Sequence, residues 1–354
     1  MTYNFCAGPA ILADSVLEKA QEKLLDFKDG ISILSISHRD PAFEALGEGI
    51  KTKLRAILEL PDDYDILLMQ GGATLQFSAI PMNFGKGKKA AYINTGIWSQ
   101  KAIDEAQKCL EVVEIDQGYR SAGQQRFDAA LLNDVEYIHY TDNETIDGVE
   151  FNYAPEAKGV PIICDMSSSF LSKAIDITKF DLIYAGAQKN LGPSGLTIVI
   201  VKKSLLVKVD SDLLPVVMDY KKTAAADSLL NTPVTFTWQV VDLVLEWFNE
   251  AGGLSYFGPA NQEKAAMLYQ AIDRLSLFSN KLPQNVRSNM NVVFQLLSDE
   301  LTKQFLQEAD VAGFYGLKGH RSVGGCRASL YNAMDLAGVK ALVDFMETFN
   351  EKHK

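Results

Sequence analysis

The sequence predicts an α/β protein built on a mainly parallel sheet, and three observations predict it. Short apolar runs of strand length alternate with helix-length amphipathic segments through most of the chain. The residues with the most chemistry fall just past the carboxyl ends of those runs, where ligands sit in open parallel sheets. With 354 residues, 47% hydrophobic and 22% charged, the chain is long enough for roughly two domains with full cores. The pattern places a large domain at 15–250 and a smaller α+β domain at 1–14 together with 251–354.

In chain order, Ser15 with Glu18 three residues on forms a capping-box pattern, and Val16, Leu17, Ala20, Leu24 and Leu25 recur at helical spacing. A β-rich patch follows, then a connection carrying His38 and Arg39, then a helix through Leu46, Ile50 and Leu54. A loop His-Arg pair is usually a solvated turn, yet loops are where binding residues concentrate. Asp65–Gln70 reads as a buried strand, and Gly71-Gly-Ala-Thr74 opens a helix over Leu75–Asn83. Strand, glycine turn and helix N-terminus suit an anion site, because free N–H groups and the helix dipole converge there, or else the glycine pair is plain turn punctuation. Neither a Walker nor a dinucleotide-binding glycine pattern is present.

Ala90–Ile93 is the next strand. Trp98 stands at the mouth of the connection that follows it, suited to a core position or to a stacking platform. A helix over Ser99–Cys109 and strands at Val112–Ile115 and Tyr137–Tyr140 come next, and Thr145 lies on the loop beyond. The strand Val160–Cys164 ends in Asp165, a residue type that suits a helix N-cap or a counter-ion for a cationic ligand nitrogen. The run Leu182–Tyr184 breaks at Ala185, Gly186 and Ala187, delivers Lys189, and is followed by a strand at Leu196–Val201. A lysine there is either a surface residue at a strand end or an amine stripped of water. The second loses basicity and becomes a Schiff-base nucleophile.

Asn231-Thr-Pro leads into a helix over Trp238–Glu250, ended by Gly252 and Gly253, and a further helix spans Asn261–Leu275. Strands at Asn291–Leu296 and Arg327–Tyr331 flank a helix near Thr302–Ala309, and a terminal helix covers Leu336–Lys352. Between them the glycine-rich stretch Gly319–Arg327 holds His320, Arg321 and Arg327, residue types suited either to binding carboxylate or phosphate or to an exposed basic loop.

Composition narrows the partners. A formal net charge of −11 argues against nucleic-acid and anionic-membrane surfaces, both of which need a positive field. No stretch has the roughly 18 apolar residues of a membrane span. Cys6, Cys109, Cys164 and Cys326 form no Cys-x-x-Cys pair, so no zinc or other metal site and no disulfide framework is expected. The start lacks the basic and apolar regions of a secretory signal, and a cytoplasmic location is the expectation.

Phe5-Cys-Ala-Gly-Pro-Ala10, Ser37-His-Arg39, Gln70-Gly-Gly-Ala-Thr-Leu-Gln-Phe77, Asn143-Glu-Thr-Ile-Asp-Gly148, Asp165-Met-Ser-Ser168, Tyr184 through Gly195, Asn231-Thr-Pro233 and Gly319 through Gly325 together closely resemble the phosphoserine aminotransferase family. The likeness runs in order from the first residues to about Asp335. It implies a class-V aminotransferase of fold-type I, with a mostly parallel seven-stranded sheet between helices, pyridoxal 5'-phosphate as cofactor, and a homodimer with shared active sites. Carried over residue by residue, it makes Lys189 the lysine that binds the cofactor covalently and then moves the substrate's α-proton. Asp165 would hold the ring nitrogen, Trp98 would stack on the ring, and Thr145 would bond the ring hydroxyl. Ala73, Thr74 and Gln188, with Asn231 and Thr232 of the partner subunit, would hold the cofactor phosphate.

By the same resemblance, Arg327 would grip the substrate α-carboxylate. His38 and Arg39 from one subunit, with His320 and Arg321 from the other, would bind the substrate's phosphate or side-chain carboxylate. The implied reaction passes an amino group between O-phospho-L-serine and 2-oxoglutarate, giving 3-phosphohydroxypyruvate and L-glutamate, in serine biosynthesis. 4-Phosphohydroxy-L-threonine, in pyridoxine biosynthesis, is a second amine of the same kind. Two departures bear on substrate grip: Ala73-Thr74 stands where some members carry Gly-Arg, and Cys6 or Ala7 where some carry serine. Three rivals stand beside this reading: a cysteine desulfurase, for which Cys326 is the candidate nucleophile, transamination of alanine or serine, and a non-enzymatic scaffold.

Overall fold

The computed structural model describes residues 2–116 and 129–354. Among them, seven apolar runs join in one sheet. Numbered along the chain these are β1 (Tyr64–Met69), β2 (Lys89–Asn94), β3 (Glu111–Asp116), β4 (Ile138–Thr141), β5 (Ile162–Asp165), β6 (Leu182–Gly186) and β7 (Thr197–Lys202). Their order across the sheet is β1-β7-β6-β5-β4-β2-β3. Only β7 runs against its neighbours; the other pairings are parallel. This is the mostly parallel α/β sheet that the sequence predicts.

Alternation of side chains across the strands feeds two cores. On one face Ile66, Ile138, Cys164, Ile183 and Ile198 pack with Phe43, Ile50, Trp238 and Leu245 of the helices Pro41–Ile57 and Thr235–Glu250. On the other, Leu67, Tyr92, Ile163, Tyr184 and Val199 meet Phe77, Ile80 and Ile103 of the helices Gly72–Phe84 and Ile97–Ala106. Burial on both faces is why β6 and β7 read as unbroken apolar runs. Each large side chain so buried contributes about 1.5–3 kcal/mol, and the frame holds the strand ends in fixed register. Thr141 pairs with Asp165 and Asp165 with Tyr184. The carboxyl ends of β4, β5 and β6 therefore open at one edge.

A separate apolar cluster lies in the tail. The antiparallel strands Phe278–Ser279, Asn291–Leu296 and Cys326–Ser329 pack with the helices Gly253–Arg274, Asp299–Val311 and Leu336–His353 through Leu268, Phe294, Phe305 and Phe349. Phe5 is buried in the same cluster, and Tyr3–Asn4 pairs in parallel with Phe314–Tyr315.

Three local expectations give way. The first helix begins at Asp14, with Ala13 as N-cap and no side-chain cap bond, so Ser15 lies inside the helix and the Ser15–Glu18 box does not form. The patch before Ser35 forms no strand; Ile33 and Ile36 are single anchors buried in the core beneath the sheet. The helix expected from Asn261 extends back to Gly253 through Pro259, a residue whose ring normally argues against a helix interior. No described helix is long and apolar enough to cross a membrane.

Candidate active site

The aligned ends of β4, β5 and β6 form the floor of a pocket lined by Ala73, Thr74, Trp98, Thr141, Thr145, Asp165, Gln188 and Lys189, with Gly72, Asn143, Ser167 and Ser168 between them. Lys189 reaches it because the chain turns sharply after β6. The Ala187 N–H bonds the Leu196 carbonyl, and the N–H groups of Leu191 and Gly192 both return to the Ala187 carbonyl. Opposite, the helix Gly72–Phe84 starts straight from β1 through Gly71, whose φ of 94° is the left-handed region that favours glycine. The first turn of that helix, Gly72 to Thr74, borders the pocket.

Burial governs the charges. The Lys189 amine donates to Thr145 Oγ1 at 2.6 Å and lies 5.7 Å from the centre of the Trp98 ring. Loss of water pushes it down to about 8, a shift that Asp165 and Glu144 oppose and Arg327 reinforces. Asp165 is pushed up by its own burial, against support from Ser167, Lys189 and the Tyr184 hydroxyl. Its Oδ1 accepts the Ser167 N–H at 2.8 Å. The two groups stabilise each other's charge, yet desolvation outweighs that attraction at both. Behind Asp165, the Tyr184 hydroxyl lies 3.0 Å from His139 Nε2, and burial holds His139 down at about 3, hence neutral. His139 Nδ1 has no hydrogen-bond partner among the described residues. A proton on Nε2 then leaves only an acceptor unmet and frees the Tyr184 hydroxyl to donate to Asp165.

Trp98 Nε1, Thr141 Oγ1 and Arg327 Nε are also buried without a partner among the described residues, all three beside this pocket. An indole wall, a carboxylate and a hydroxyl at the strand ends, a desolvated amine and a helix N-terminus suit one kind of molecule. It is a flat heteroaromatic ring with a basic nitrogen, a carbonyl and a phosphate. The residues fit pyridoxal phosphate, whose carbonyl a partly neutral amine can attack and whose phosphate a helix start can hold.

The pocket thus gathers Ala73, Thr74, Trp98, Thr145, Asp165, Gln188 and Lys189. Arg327 reaches its rim, donating from Nη1 to the Thr145 carbonyl at 3.2 Å. His320 and Arg327 share a neighbouring cleft with Asp147. Partial burial, followed by the nearby cations Arg327, Lys101 and Arg321, lowers His320, and its Nδ1 contacts Ser322 Oγ at 2.6 Å. The remaining predicted residues lie elsewhere on this chain. Thr232 Oγ1 meets His38 Nδ1 at 3.0 Å, and Asn231 Oδ1 accepts from Gln70 at 2.9 Å. Arg39, Arg321, Asn231 and Thr232 are exposed.

Cys326 is buried, with its thiol pushed up to about 12 by desolvation, the reverse of what a desulfurase nucleophile needs. Tyr184 and His139 behind Asp165, and Glu144 beside Trp98, escaped the sequence reading. The first two look like ordinary strand residues. Glu144 sits inside a motif from which only Thr145 is singled out.

The family model for aminotransferase class-V matches residues 2–342. A phosphoserine aminotransferase of Acinetobacter baylyi is 48% identical over 357 residues, covering 99% of each chain. The solved phosphoserine aminotransferase of Bacillus circulans subsp. alkalophilus superposes with a TM-score of 0.94 at 41% identity, over 100% of this chain and 99% of that one. A pyridoxal-phosphate-bound phosphoserine aminotransferase of Trichomonas vaginalis gives 0.91 at 35% identity, over 98% of this chain and 100% of that one.

Proposed function

The chain belongs to the class-V aminotransferases and, among them, to the phosphoserine aminotransferases, and from that premise we propose that it exchanges an amino group between O-phospho-L-serine and 2-oxoglutarate. It is a pyridoxal-phosphate-dependent transaminase of serine biosynthesis. The products would be 3-phosphohydroxypyruvate and L-glutamate, and 4-phosphohydroxy-L-threonine is the second amine that the same site would take. A phosphate and a γ-carboxylate are both anions at similar reach from the reacting carbon, so one basic pocket serves both substrates. The observation that carries the reading is the Lys189 amine, desolvated to about 8 and hydrogen-bonded to Thr145 in a pocket floored by Asp165.

Pyridoxal phosphate supplies the electron sink that lets a proton leave the amine-bearing carbon. Asp165 would hold its ring nitrogen, Trp98 its ring face, Thr145 its ring hydroxyl, and Ala73, Thr74 and Gln188 its phosphate. Lys189 would hold the cofactor's carbonyl carbon and would take and return the substrate's α-proton at Nζ. Thr145 Oγ1 fixes where Nζ waits, and Arg327 presents its guanidinium to the substrate α-carboxylate.

Asn231, Thr232, His38 and Arg39 do not line this chain's own pocket, and Leu230 and Val234 beside them are exposed apolar residues. That separation supports a homodimer in which each chain's loop completes the other's site, with His320 and Arg321 meeting His38 and Arg39 of the partner subunit. The separate tail cluster supports domains at 15–250 and at 1–14 with 251–354.

The test is spectrophotometric. The purified protein with pyridoxal phosphate should show the visible band of a lysine-bound cofactor, and phosphoserine should bleach it far faster than serine at equal concentration. Lys189→Ala should lack both the band and turnover; a Lys189→Ala protein that keeps the band overturns the assignment.

A further inference from the structure

We propose that Glu144 is the positioning residue of this site, fixing the Trp98 indole on one side of the cofactor ring while the adjoining Thr145 holds Lys189 and Arg327. The proposal rests on the reading of Trp98 as the ring's stacking partner.

The helix Ile97–Ala106 begins without a capping side chain at its N-cap, Gly96. Its first N–H groups would be orphaned at the pocket edge. A loop from beyond β4 satisfies them. Ile97 N–H donates to Asp147 Oδ2 at 3.0 Å, Trp98 N–H to Glu144 Oε2 at 2.9 Å, and Ser99 N–H to Glu144 Oε1 at 2.8 Å. The Ser99 hydroxyl adds a bond of 2.7 Å to Glu144 Oε1. Glu144 is fully buried, and burial pushes it up to about 7, against support for its carboxylate from the Ser99 and Trp98 bonds and from the positive end of the helix that it faces. The fit excludes a side chain at Gly96: a Cβ there would stand 2.5 Å from Asp147 Oδ2 and 2.8 Å from Glu144 Cδ.

The next residue carries the other half. Thr145 Oγ1 receives the Lys189 amine, and its carbonyl receives Arg327. The loop itself is pinned by the short pairing of Asn143–Glu144 with Val149–Glu150 and by Asn143 Nδ2 donating to Asn291 Oδ1 at 2.8 Å. Two adjacent residues of one rigid hairpin thereby set the distance between the stacking ring and the reacting amine. This is how Asn143-Glu-Thr-Ile-Asp-Gly148 serves the site beyond Thr145.

Both Glu144 oxygens must accept, so a glutamine cannot replace it: its NH₂ group would face the N–H of Trp98 or of Ser99. The experiment measures pyridoxal phosphate affinity by titrating the visible band, together with the induced circular dichroism of that band, in wild type, Glu144→Gln, Trp98→Ala and the double variant. Trp98→Ala should weaken binding about tenfold, the scale of a lost aromatic stack. Glu144→Gln should weaken it roughly three- to tenfold and shrink the dichroic signal. The double variant should match Trp98→Ala, because Glu144 acts through Trp98. Effects that multiply in the double variant overturn the proposal, as does a Glu144→Gln protein with unchanged affinity and dichroism. If Glu144→Gln does not fold, Ser99→Ala removes one Glu144 contact and must shrink the dichroic signal in the same direction; an unchanged signal there overturns the proposal too. A wild-type protein that binds no pyridoxal phosphate would instead refute the reading of the site itself.

Discussion

The pocket around Lys189 and the exposed rim loops that carry Arg39, Asn231, Thr232 and Arg321 are built on different principles. In the pocket, Asp165, Thr145, Trp98 and Lys189 come from one chain, on strand ends and a braced helix start, and Lys189, Thr145 and Asp165 are each at most 8% exposed. In the rim, Arg39, Arg321, Asn231 and Thr232 sit on exposed loops, apart from the pocket that they are expected to serve. Chemistry needs groups whose charge is tuned by losing water, and only a rigid interior does that. Recognition of a doubly charged anion needs cations that stay ionised, and those are cheapest near solvent. On the proposed reading one molecule separates tuning from recognition, and substitutions on the two sides should fail in different ways.

The sharpest break should come at Asp165. Asp165→Asn removes the anion facing the amine while keeping the side chain's shape. The single-turnover rate with phosphoserine should fall by roughly 10²–10³, the scale for losing one preorganised electrostatic partner, with phosphoserine affinity little changed. Next in size is the pH dependence of Lys189. An amine held near 8 is protonated below that pH and cannot attack a carbonyl. The rate at which apoprotein captures pyridoxal phosphate should therefore climb about tenfold per pH unit up to about 8 and level off above it. Because Asp165 favours the charged amine, Asp165→Asn should shift that break to lower pH. A break that stays put would show that the carboxylate and the amine are not coupled.

The same division explains what the sequence made legible. Strand ends show because buried parallel strands leave unbroken apolar runs, as in Leu182–Gly186 and Thr197–Lys202, and a polar residue just past such a run stands out. Asp165, Thr145 and Lys189 were visible that way. The polar groups behind them were not. Tyr184 and His139 lie within strands, where an aromatic or a histidine reads as core, and only the sheet register puts both behind Asp165. Glu144 was hidden for another reason: a carboxylate that caps a helix from a distant loop leaves no local spacing signal. The rim was legible only as basic loop residues, since His38 and Arg321 carry no periodicity and belong to different loops. The Ser15 capping pattern does not form because the helix starts at Asp14, which places Ser15 inside the first turn and leaves Ala13, with no capping side chain, at the N-cap.

The smallest expected effect tests the rim. Arg321 is exposed, as Arg39 is, and it belongs to the loop whose His320 shares a cleft with Arg327. Arg321→Ala should raise KM for phosphoserine about tenfold, in line with about 1.5 kcal/mol for a hydrogen bond to a charged group near solvent. It should leave kcat within about twofold, and pyridoxal phosphate affinity likewise, because the guanidinium touches neither the amine nor the ring slot. Salt sharpens the contrast. Exposed charges are screened over about 10 Å at 0.1 M ionic strength, whereas buried pairs are screened far less. Raising salt should therefore weaken phosphoserine binding in wild type more than in Arg321→Ala, while the pH of the Lys189 break hardly moves. A variant that loses kcat and KM together would mean that the rim also shapes the pocket, and the separation of tuning from recognition would fail at that residue.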